Sequence, residues 1–170
     1  RIRKLKTDLK NNKMESAIIY ADREHFANMH YLTGFDPRFE EALLIINAKE
    51  DCSYLITGPE NQGYSNISKI NMIKKKFPTF GLLGQNRVGS FSLENILLDC
   101  NVKNKKNCGV VGWKYFTSDE FEKPELTFDI PNYILNSLEK VTGNISYLKN
   151  ITSWFMHSSK GYRAKNEIDE

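Results

Sequence analysis

Three observations predict an α/β fold of three layers, a sheet with helices on both faces. Short apolar, strand-like runs alternate with segments whose apolar residues recur at helical spacing. The run Ala42 to Ile46 is apolar at every position, as a strand covered on both sides must be. Apolar residues make up 40% of the 170, and a chain of that size buries one full core without staples.

The elements follow in order. Ile2, Leu5 and Leu9 keep helical spacing, so the chain opens with an amphipathic helix. Ser16 to Ala21 is a short apolar strand. Asp22 is read as the cap of a second helix that turns Phe26 and Met29 inward and stops at Gly34, the residue best suited to a left-handed helix end. Strands are predicted at Glu41 to Asn47 and Cys52 to Thr57, antiparallel neighbours across a hairpin-length loop. Gly58-Pro59 starts a short helix, and Asn71 to Phe77 is a strand ended by Pro78. Gly81 to Ser90 is a loop. Ser90 or Ser92 caps a helix whose inner face is Leu93, Ile96, Leu97 and Cys100. Strands are expected at Cys108 to Trp113 and Leu126 to Ile130, and a last strand or extended segment at Ile145 to Leu148. Between the last two, Pro131 opens a helix burying Ile134, Leu138 and Val141. Thr152 to Arg163 is the final predicted helix.

Composition excludes some classes. Charged residues are 26%, as in an ordinary globular chain. No apolar run approaches the roughly twenty residues needed to cross a bilayer, and no signal peptide is read, so a cytoplasmic protein without a membrane partner is expected. A net charge of +3 is too mild to argue for nucleic acid. The runs Lys74 to Lys76 and Lys103 to Lys106 suit either a phosphate-binding patch or a solvated face. Cys52, Cys100 and Cys108 lack metal spacing and read as buried thiols, with a Cys100–Cys108 disulfide open in principle. Glycosylation patterns at Asn66, Asn144 and Asn150 carry little weight among seventeen asparagines.

Chemistry-bearing patterns are sparse. His25 and His30 are five apart, not the four that aligns two ligands on a helix face, and His157 stands alone. Gly84 to Ser90 has the glycine spacing of a phosphate loop but no lysine after its second glycine. There is no Gly-x-Ser-x-Gly elbow, so no catalytic or metal-binding residue is assigned. The segment Tyr31 to Ile46 is the most informative. It joins a helix end, a glycine stop, the turn Asp36-Pro37 and the buried strand, with Arg38, Phe39, Glu40 and Glu41 at the strand's mouth. Those charges are either a solvated turn or the rim of a site.

Tyr31-Leu32-Thr33-Gly34-Phe35 resembles the corresponding region in the N-terminal domain of the creatinase, prolidase and aminopeptidase P family. So do Arg3-Lys4-Leu5 with Met14 to Ile19, Asn28 before Tyr31, and Gly58-Pro59-Glu60 after Tyr54-Leu55-Ile56. Arg163, Lys165, Glu167 and Ile168 resemble the signature that opens the family's catalytic domain, with a shorter Arg-to-Lys spacing. The resemblance implies a ribonuclease-H-like α/β/α domain with a mixed sheet of five or six strands over residues 1–160. Residues 161–170 would then begin the linker or first helix of a catalytic domain outside this chain. It implies a Xaa-Pro peptidase parent whose two divalent metal ions (Mn, Co or Zn) sit in that other domain, with no cofactor here. The implied partners are the parent's own C-terminal catalytic domain, further copies of the parent in a homo-oligomer, and a peptide substrate. It further implies that Arg38 and Phe39 contact substrate in a neighbouring subunit's cleft. Two alternatives share the domain: a creatinase-like amidinohydrolase, and a non-enzymatic module that binds peptides or proteins, as in a histone-chaperone subunit.

Overall fold

The computed structural model describes residues 1–157, and the boundary expected near Lys160-Gly161 lies outside them. The elements run α1 (Ile2–Asn11), β1 (Ser16–Ala21), α2 (Ala27–Thr33), β2 (Ala42–Asn47), β3 (Ser53–Thr57), α3 (Asn61–Tyr64), β4 (Met72–Lys76), α4 (Leu93–Asp99), β5 (Cys108–Val111), α5 (Asn132–Thr142), β6 (Leu148–Asn150) and α6 (Thr152–His157). Six strands form one sheet in the order β4-β3-β2-β1-β5-β6. Only β2 runs against its neighbours, pairing antiparallel with β1 and β3, while β3–β4, β1–β5 and β5–β6 are parallel. The mixed sheet of the expected α/β class is therefore present, and so is the β2–β3 hairpin.

The sheet separates two cores. Alternate residues of β2 point to opposite faces, so Leu43 and Ile45 meet the inner faces of α4 and α5. Leu44 and Ile46 meet Leu5 and Leu9 of α1, Met29 and Leu32 of α2, and Phe155 of α6. All six residues of β2 are buried, which is why its sequence shows no alternation.

Three helix ends explain their sequences. Gly34 ends α2 at φ 73°, donating its N–H to His30 O. Gly143 ends α5 in the same way at φ 91°. Ser92 caps α4, its Oγ accepting from Asn95 N–H at 3.2 Å.

Several expectations are corrected. Asp22 does not cap α2, which begins five residues later. Its Oδ1 accepts the N–H groups of Glu24 and His25 and closes a local turn instead. Leu126 to Ile130 is not a strand. Pro124–Leu126 is a single 3-10 turn, and the following segment is tied to the sheet by side chains: Asn150 Nδ2 donates to Thr127 O. Ile145–Tyr147 is likewise a 3-10 turn, and the last strand starts at Leu148. Both segments have the apolar content of strands but open on local 3-10 turns. The three cysteines are free thiols, Cys100 and Cys108 both buried. No helix among the described residues is long and apolar enough to cross a membrane.

Candidate functional site

All five parallel strands end on the same edge of the sheet, where β2 begins. Chain crossings at such an edge open crevices. Here the end of β1, the entry to β2 and the loop after β4 enclose an open cleft of about 340 Å³, whose walls include Asp22, Glu24, Phe39, Glu40, Glu41 and Phe80.

The entry to β2 is built stepwise. Thr33 Oγ1 donates to Met29 O and accepts from Phe35 N–H, turning the chain after Gly34. Phe35 is fully buried and anchors the loop, its ring tilted against Tyr64 at 5.9 Å. Tyr64 then holds the turn from above: its hydroxyl donates to Asp36 Oδ1 at 2.9 Å. The Arg38 guanidinium lies over the Tyr64 ring, 4.6 Å from its centroid. Phe39 is 62% exposed and forms part of the cleft wall. Of the two residues the resemblance points to, Phe39 therefore stands in the cleft, and Arg38 stands beside it, stacked on Tyr64.

Glu40, by contrast, is buried. Its two carboxyl oxygens accept the N–H groups of Glu60 and Asn61, each at 2.9 Å, at the start of α3. This explains Gly58: a Cβ there would sit 2.2 Å from Glu40 Oε1. Burial pushes the Glu40 carboxyl up to about 7, and a hydrogen bond shared with the Glu60 carboxyl adds to the rise against the pull of the two N–H groups. The same bond holds exposed Glu60 below the usual carboxylate range.

Glu41 faces the cleft. It accepts from Tyr20 Oη at 3.0 Å and from Tyr133 Oη of α5. The Tyr20 hydroxyl is shared with Asp22 Oδ2 at 3.1 Å. Burial first, and the nearby carboxylates second, raise the pKa of both phenols well above the ordinary tyrosine value. Both tyrosines stay protonated donors across the physiological range. Asp22 also meets His25 Nδ1 at 2.9 Å. Burial alone would raise its pKa, but the bonds from the His25 ring and from the His25 and Glu24 N–H groups outweigh it and hold the carboxylate ionised. His25 stacks on Trp113, with ring centroids 4.2 Å apart.

These carboxylates are committed to N–H and O–H donors. No group of three or more His, Cys, Asp or Glu among the described residues is arranged to hold a metal ion, and the cleft does not fit the family's metal pair. Sequence reading missed Tyr20, Asp22 and Tyr133 as partners in this network. Tyr20 reads as one more strand residue, and Tyr133 is 92 residues from its partner Glu41 in the chain.

Residues 1–83 match the family model described as the Creatinase/Prolidase N-terminal domain. Over those 83 of its 170 residues the chain resembles a creatinase/prolidase N-terminal domain. Solved structures extend the fold likeness beyond the matched segment. The creatinase/prolidase N-terminal domain of an X-Pro dipeptidase from Streptococcus pyogenes superposes with a TM-score of 0.59 at 15% identity, over 90% of this chain and 94% of that one. The prolidase from Pyrococcus horikoshii matches with a TM-score of 0.56 at 13% identity, over 94% of this chain. Dipeptidase PepE from Mycobacterium ulcerans matches with a TM-score of 0.64 at 9% identity, over 99% of it. The chain spans 36% of that prolidase and 38% of PepE. No curated protein sequence matched the chain.

Proposed function

We propose that this chain is the non-catalytic N-terminal domain of a metal-dependent Xaa-Pro dipeptidase or aminopeptidase, where it shapes the entrance to the active site and helps build the oligomer. The observation that carries the reading is the family match over residues 1–83, which includes the whole entry to β2. In this reading residues 1–160 are the domain, and 161–170 lead into the catalytic domain that holds the two metal ions. The parent is a cytoplasmic homo-oligomer acting on peptides. Metal ions held by that other domain would supply the hydrolytic chemistry, by making a bound water more nucleophilic toward the peptide bond before proline. This domain supplies no group to that step.

Its contribution is position. The entry to β2 is clamped by buried Phe35 and Glu40, so the exposed pair between them, Arg38 and Phe39, is presented from a rigid base. Arg38 is a permanent planar cation able to grip a substrate carboxylate with two bonds, and Phe39 offers an apolar wall for a proline ring. The test is kinetic, on the parent protein. Arg38→Ala should lower kcat/KM on Xaa-Pro dipeptides by roughly ten- to a hundredfold, or about 1.4–2.7 kcal/mol. Phe39→Ala should act in the same direction. Unchanged kinetics in both variants would remove these residues from the substrate path.

A further inference from the structure

At the opposite edge of the sheet lies a second cleft, of about 410 Å³, where β1 and β5 begin and β2 ends. We propose that it binds a short oligophosphate, free or as the triphosphate tail of a nucleotide. The inference is independent of the reading above, because the two clefts lie at opposite ends of the strands.

Charge is the first observation. Lys10, Lys13, Lys49, Lys105 and Lys106 line the cleft against one carboxylate, Glu15. Five lysines against one glutamate leave an excess of four, more than the formal +3 of the whole chain. Glu15 is already shared: Lys49 and Lys103 both approach it at 3.6 Å. No carboxylate among the described residues pairs with Lys10, Lys13, Lys105 or Lys106. Ammonium groups gathered without counter-charge repel one another, and a multiply charged anion relieves that repulsion.

Backbone conformation is the second. Three non-glycine residues among those described have positive φ: Lys13 at 55°, Asn101 at 60° and Lys105 at 53°. Asparagine tolerates this region, but lysine seldom occupies it. Lys13 stands at the C-terminal stop of α1, its N–H bonded to Lys10 O and the next N–H, of Met14, to Leu9 O. That pattern favours glycine at the position of Lys13. Lys105 is held by its N–H to Thr142 O at 2.8 Å. Both strained lysines line the same cleft, and a backbone held against its preference points to a side chain wanted there.

The test is calorimetric titration of the 170-residue chain with tripolyphosphate and, separately, with ATP at low and physiological salt. Saturable binding of either that weakens with salt is expected, and the better ligand tells a free chain from a nucleotide tail. Neutralising Lys105→Gln with Lys106→Gln should weaken binding about tenfold or more, since bonds between charged groups are the strong ones. Neutralising Lys74→Gln with Lys76→Gln on β4 should not. Glu15→Gln, which removes the one anion, should tighten it. Lys13→Gly should raise the melting temperature while weakening binding, an opposition that a merely structural lysine would not produce. No binding at low salt, or equal affinity in the Lys105→Gln/Lys106→Gln variant, would overturn the proposal. So would binding of a single-stranded oligonucleotide without binding of tripolyphosphate or ATP, which would make this a nucleic-acid surface.

Discussion

Individual residues at the entry to β2 divide into those that hold the loop and those that it presents. Glu40 holds it, and its chemistry makes that visible in a pH titration. A carboxyl whose folded pKa stands near 7, above its usual value, binds more protons folded than unfolded. Its contribution is full in the acid range below the unfolded pKa and is lost as pH rises through about 7. The melting temperature should therefore fall between pH 5 and pH 8, and Glu40→Gln should flatten that slope. A slope unchanged by Glu40→Gln would place the proton elsewhere. Asp22 and Glu94 are shifted downward, so their effects fall at more acid pH and do not obscure the test. Arg38, in contrast, is exposed and stacked on one ring, so Arg38→Ala should change the unfolding free energy by no more than about 0.5 kcal/mol. If it unfolds the domain, the stack on Tyr64 is structural and the kinetic proposal fails. Sequence reading grouped Arg38, Phe39, Glu40 and Glu41 as one charged mouth. It could not tell them apart, because what buries Glu40 is a pair of N–H groups twenty residues on, at Glu60 and Asn61.

At the scale of elements, legibility followed the range of the forces. Strand β2 was plain in the sequence, since burial on both faces leaves an unbroken apolar run. The end of α2 at Gly34 was equally plain, because a stop is decided within a few residues, while the cap of α4 was legible only as Ser90 or Ser92, of which the structure uses Ser92. The segments at Leu126 to Ile130 and Ile145 to Leu148 were not. Their apolar residues pack on the sheet while their backbones close local turns, and an apolar run alone does not tell a strand from a packed loop. The centre of β2 gives the element-scale test. Leu44 is fully buried in the core beneath α1 and α2, so Leu44→Ala should cost about 2–5 kcal/mol in denaturant unfolding. A cost under about 1 kcal/mol would mean that this strand is not the centre of the sheet.

The whole domain is a sheet with an acidic cleft at one end and a basic cleft at the other. The acidic end carries the entry to β2, inside the segment that matches the family model. Its Glu40 and Glu41 carboxylates are tied up by backbone N–H groups and tyrosine hydroxyls, which suits a rigid wall better than a reacting centre. This arrangement was beyond the sequence, because Tyr20, Glu41 and Tyr133 meet only once three distant segments pack. The central claim is that this domain supports Xaa-Pro hydrolysis without performing it. It is tested most directly by assaying the 170-residue chain and its full-length parent side by side on Xaa-Pro dipeptides with added Mn²⁺, Co²⁺ or Zn²⁺. The account predicts metal-dependent turnover by the parent and none by the chain. Turnover by the chain itself, surviving removal of contaminating peptidases, or a parent inactive on every Xaa-Pro substrate with every metal, would contradict it.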